Sequence, residues 1–111
     1  MIVDGFRSSL QAYCTTIEEG AVDTMLLASI DRKLCDVANH IAFCHRNYIE
    51  KRGEANTLSA LLTLRRNQLM QDARRADEML EETLEIQDQL MALRAGVLVR
   101  LFDRIYEQMP L

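Results

Sequence analysis

Asp36, His40 and Cys44 recur at every fourth position, with His45 beside them. On a helix that spacing lines a carboxylate, an imidazole and a thiol along one ridge, and all three are zinc-ligand types. A tetrahedral site needs four ligands converging from more than one element, and the chain has only two histidines, both on this segment. Cys44 also falls on an apolar repeat, where a free cysteine packs as a small hydrophobe. The two imidazoles suit the edges of that repeat. The residues are therefore expected to pack, and no metal site is expected.

A second cluster is Glu81, Glu82 and Glu85, spelling E-E-x-x-E. It resembles the first metal-binding motif of the all-α nucleotide pyrophosphohydrolases, whose carboxylates converge on magnesium. The resemblance covers five residues and implies a metal-dependent phosphohydrolase using the Glu81/Glu82/Glu85 face. That family's second element, an E-x-x-D on a later helix, is missing. Glu85-Ile-Gln-Asp88 has the letters but overlaps the first motif, and the only later glutamate, Glu107, meets Pro110 three residues on. A solvated acidic face is the preferred reading. Nucleophile elbow, phosphate-binding loop and dinucleotide fingerprint are all lacking. Ser8, Ser9, Ser29 and Ser59 have no positioned base. No catalytic or cofactor-binding residue is expected.

The elements that carry these residues follow from composition. The chain has 111 residues, one proline and four glycines, and good helix formers dominate it. An apolar fraction of 49% is ordinary for a folded protein, and the length suits a single domain, 1–111. The net charge is −4 and neither half is basic, so nucleic acid is not an expected partner. Arg65-Arg66 and Arg74-Arg75 read as solvated pairs. Three cysteines are too few for a disulfide framework and suit a reducing compartment. The longest apolar run, Ala95–Val99, falls far short of the ~20 residues of a membrane span. No signal-like segment opens the chain, so a cytoplasmic location and no membrane contact are expected.

Periodicity supplies the elements. Phe6, Leu10, Tyr13 and Ile17 step along one face of a first helix, capped by Asp4, reaching about Glu18 and ended by Gly20. Asp23 can cap a second helix from about Val22 to Lys51, stopping at Gly53. Its Ile30, Leu34, Val37, Ile41, Cys44 and Tyr48 alternate steps of four and three, the repeat of a knobs-into-holes seam. A third helix starts near Asn56 or Thr57 and keeps its face with Leu58, Leu62, Leu69, Ala73, Ala76 and Leu80. The predicted fold is all-α: a three-helix antiparallel bundle or extended hairpin with a long C-terminal helix. A four-helix bundle with a break near residue 77 is the alternative.

The C-terminal segment 77–109 carries the functional expectation. It opens with Asp77, Glu78, Glu81, Glu82, Glu85 and Asp88, then turns apolar and basic with Arg94, Arg100 and Arg104. Leu84, Met91, Leu98 and Ile105 recur every seventh residue, and Ile86, Leu90, Leu93, Val97 and Leu101 form a second stripe. A hairpin turning at Gly53 would leave residues 87–109 projecting, with Leu90, Leu93, Leu101 and Phe102 in water unless something covers them. The expected role is a non-enzymatic interaction module: a small adaptor, an assembly subunit or a chaperone for a helical protein partner. Met70, Met79, Met91 and Met109 would suit an adaptable surface, or simply the core. A homodimer is expected, antiparallel about Met91, pairing Glu78 with Arg104, Glu82 with Arg100 and Asp88 with Arg94. The same register sets Leu84 on Leu98 and Leu80 on Phe102. A heteromeric helical partner is the next reading, and a helix macrodipole alone would also favour acids first and bases last.

Overall fold

The computed structural model describes residues 2–57 and 62–109, and Leu58 and Ser59 lie outside that range. Three helices account for the described residues: α1 (Ile2–Glu18), α2 (Thr24–Thr57) and α3 (Thr63–Gln108). Asp4 sits in the first turn of α1 rather than at its cap. The α1–α2 turn is built as its residues dictate. Gly20 takes φ of 80°, a left-handed conformation that only glycine adopts without strain, and its N–H returns to the Ile17 carbonyl. Asp23 then accepts the Leu26 N–H at 2.8 Å, which starts α2.

α2 does not stop at Gly53; it continues to Thr57. Gly53 faces open space, so it costs only its helix propensity, about 1 kcal/mol. Ala55, two residues beyond, is fully buried, which favours keeping the extra turn helical. Asn56 and Thr57, expected to start the third helix, are therefore the last residues of the second. α3 runs unbroken through residue 77, as a 46-residue helix. Nothing between 63 and 108 gives the chain cause to leave the helix: no proline occurs there and the one glycine, Gly96, is isolated.

The later turn shifts the hairpin register. Asp31 lies against Arg94, and Tyr48 and Arg52 line a groove with Asp77 and Ala73, so facing positions add up to about 125 along the pair. The expected overhang of 87–109 is accordingly absent. Leu90 and Val97 are buried, Leu93 and Leu101 half-buried, and Arg104 reaches the α1–α2 turn. α1 packs at this end only, antiparallel to α2 and parallel to α3. Val3 and Phe6 join Val37, Ile86 and Leu90 in one cluster; Val22, Leu26, Ile30 and Val97 form a second, with Ile17 against it. Tyr13 bridges the two and donates its hydroxyl to the Ser29 carbonyl at 3.1 Å.

The molecule is a rod, 77 × 23 × 15 Å, with a radius of gyration of 20.1 Å. A compact chain of this length would have about 13 Å. Its accessible surface, 7948 Å², exceeds the roughly 6,300 Å² of a globular monomer of this mass.

Candidate protein-docking surface

α3 carries two seams. The inner one is Leu69, Ala73, Ala76, Thr83, Ile86, Leu90 and Val97, spaced by threes, fours and sevens and buried against α1 and α2. Buried Thr83 satisfies its hydroxyl by donating to the Met79 carbonyl at 2.6 Å. The outer seam faces away. Leu84, Met91, Leu98 and Ile105 are exposed, and so are Ala95, Phe102 and Met109, which fall between them at the same seven-residue interval. From Met91 to Met109 the steps are four, three, four, three, four: a complete coiled-coil repeat left exposed, with no partner helix among the described residues.

Val99 and Tyr106 widen this stripe; the rings of Phe102 and Tyr106 lie one turn apart, with centroids separated by 6.0 Å. Leu34 of α2 joins Gln87, Met91, Arg94, Ala95 and Leu98 around an open groove of about 490 Å³. A smaller depression on the other flank is lined by Leu98, Val99, Phe102 and Asp103.

The expected site residues divide accordingly. Leu84, Met91, Leu98, Phe102 and Ile105 are together on the outer face. Leu90 and Val97 are interior, and Leu93 and Leu101 are partly covered, so these four serve the fold. The charges are also placed differently from the expected pairing. Arg94 is ion-paired with Asp31. Arg100 donates to the Ile17 carbonyl at 3.2 Å, and Arg104 donates to the carbonyls of Val22 and Gly20. Glu82 meets Arg7 at 3.5 Å, and Glu78 lines a groove with Val3 at the start of α1. Asp88 is exposed.

This explains the acidic-then-basic order within the chain itself. α1 lies parallel to α3, so its N-terminus, the positive end of its dipole, rests near Glu78 and Glu82. At its C-terminal, negative end Arg100 holds the Ile17 carbonyl, and Arg104 holds the carbonyls of Gly20 and Val22 in the turn that follows. The outer face is thereby left almost without charge.

The sequence pointed to the 84/91/98/105 stripe but missed Ala95, Val99 and Tyr106 as its companions. The seven-residue interval of Ala95, Phe102 and Met109 was there to be read. Leu34 could not be placed on this groove without the hairpin register.

The chemistry-bearing clusters pack as ordinary side chains. His40 is buried, edge-on to Phe6 with ring centroids 5.6 Å apart, stacked near Phe43, and its Nε2 lies 3.4 Å from the Cys44 thiol. Burial holds the His40 pKa below its ordinary value and pushes the Cys44 thiol up. Asp36 points to Lys33, at 3.7 Å. His45 is exposed, as are Glu81, Glu82 and Glu85. Among the described residues no three His, Cys, Asp or Glu side chains are gathered as a metal shell would require. Cys14, Cys35 and Cys44 are free thiols. No described helix is long and apolar enough to cross a membrane. No protein-family model, curated protein or solved structure matches the chain.

Proposed function

We propose that this chain is a non-enzymatic helical interaction module whose docking face is the outer seam of α3, residues 91–109. One observation carries the reading: a full coiled-coil repeat stands exposed on the same helix whose opposite face is buried. Scattered exposed apolar residues need no explanation, but a contiguous apolar patch on a small protein marks an interaction site. Phe102 and Tyr106 are 64% and 68% exposed, and aromatic residues are enriched at the energetic centres of interfaces. A helix laid along the seam would bury them by the same knobs-into-holes packing that the inner seam uses. Adaptor, assembly subunit and helix-binding chaperone are the roles such a face serves.

The test is a photo-crosslinking amino acid placed singly at Phe102 and, as a control on the far end of α3, at Arg66, in cells making the protein. Covalent protein adducts at 102 and none at 66 are expected. Equal labelling at both positions, or none at 102, would remove the outer seam as the docking face.

A further inference from the structure

Resting on that reading, we infer that the occupant of the outer seam is a second copy of the same chain, laid antiparallel about the level of Arg100. Three observations lead there.

The first is area. Met91, Leu98, Val99, Phe102, Ile105, Tyr106 and Met109 are each between 38% and 68% exposed. With fully exposed side chains of this kind offering up to ~250 Å², they present roughly 800 Å², the amount each partner contributes to a standard protein–protein interface. One copy therefore has enough surface for a stable dimer without recruiting α2.

The second is size matching. In the antiparallel arrangement Ala95 faces Ile105, Leu98 faces Phe102 and Met91 faces Met109, each layer occurring twice. Small is set against large and medium against ring, as close packing requires. A parallel arrangement in register would stack Ala95 on Ala95 and Phe102 on Phe102, leaving a gap at one layer and overfilling the other. It would also align the two helix dipoles, which the antiparallel arrangement opposes.

The third is charge. The arginines of this stretch are engaged within the chain, so a charged partner would find no complementary cation on this face. Asp103 remains at the rim of the apolar strip. In the antiparallel dimer it lies level with Val97 of the second copy, where no acid opposes it.

This register differs from one centred on Met91, and the two are separable. In a background with Cys14 and Cys35 replaced by Ser and buried Cys44 kept, Val99→Cys brings two thiols together across the axis near residue 100. Met91→Cys does so only if the axis lies at Met91. Mild oxidation of the purified protein should give a covalent dimer for Val99→Cys and little for Met91→Cys. Sedimentation of the parent chain at micromolar concentration should give twice the chain mass, and Phe102→Gln should weaken association at least tenfold. A covalent dimer through Met91→Cys and none through Val99→Cys would overturn the register. A parent that sediments at the mass of one chain would overturn the second copy as occupant. Adducts to other proteins from position 102 in cells would then still uphold the docking face, whereas no adducts would sink both.

Discussion

The two ends of the rod are built differently. Where α1 covers the hairpin, the core is large: Phe6, Leu26, Ile30, Val37, Ile86, Leu90 and Val97, gathered in both apolar clusters. Toward the other end only α2 and α3 remain, and among the described residues the buried ones there are Ala55, Ala73 and Ala76, with Leu69 the one large side chain. Two helices alone cannot enclose bulky side chains, so small residues let them approach closely instead. Stability is therefore concentrated at the α1 end. The proposed docking face is at that same end, on the side of α3 that α1 and α2 leave exposed.

The largest effect should come from the α1 end. Leu90→Ala removes a fully buried side chain and should cost about 2–5 kcal/mol, whereas Ala76→Gly in the two-helix stalk should cost about 1 kcal/mol. Urea denaturation of the two variants measures the gap. Equal losses would mean that both ends share one core. Amide exchange should agree, with residues 48–57 opening well before residues 26–37.

His40 stands at the border of the two regions and gives a pH handle of intermediate size. Its folded pKa is depressed by burial, so the folded state resists protonation. The unfolded chain then binds more protons, and stability is complete above the ordinary value of 6.5 and lost as pH falls through the folded pKa. Between pH 7 and 5 the parent should lose more melting temperature than His40→Gln does. Parallel curves would show that His40 titrates as if in water. At neutral pH the same variant should still be destabilised, because the Phe6 and Phe43 contacts go with the ring.

The smallest effect sharpens the account of the stalk. Gly53 lies within α2 and a methyl group there meets nothing, so Gly53→Ala should stabilise by about 0.5–1 kcal/mol. A loss of stability would mean that α2 does end at Gly53, as the sequence first suggested.

Much of the fold was legible because it rests on local periodicity. Ile30, Val37 and Cys44 are buried where the alternating steps of α2 placed them, with Leu34, Ile41 and Tyr48 half-buried beside them. Continuity of α3 followed from the lack of any breaker near residue 77. What escaped was relational. The turn position depended on Gly53 being tolerated and on Ala55 packing, and from that error came the imagined overhang of residues 87–109. The role of Arg100 and Arg104 depended on α1 lying parallel to α3, which no spacing within α3 encodes. Of the candidate site, the heptad stripe could be read, because repeat and exposure share one period. Its separation from Leu90 and Val97, only a residue away along the chain, needed the third dimension.

The central claim, that one face of α3 folds the chain while the other joins it to a second copy, is tested most directly by melting as a function of protein concentration. A homodimer gains stability by mass action, so the parent should melt higher as concentration rises. The double variant Leu98→Asp/Phe102→Asp should melt at a temperature independent of concentration, matching the parent at its most dilute. A parent whose melting temperature ignores concentration would contradict the pairing. A double variant that melts well below the dilute parent would show that Leu98 and Phe102 belong to the core of the single chain.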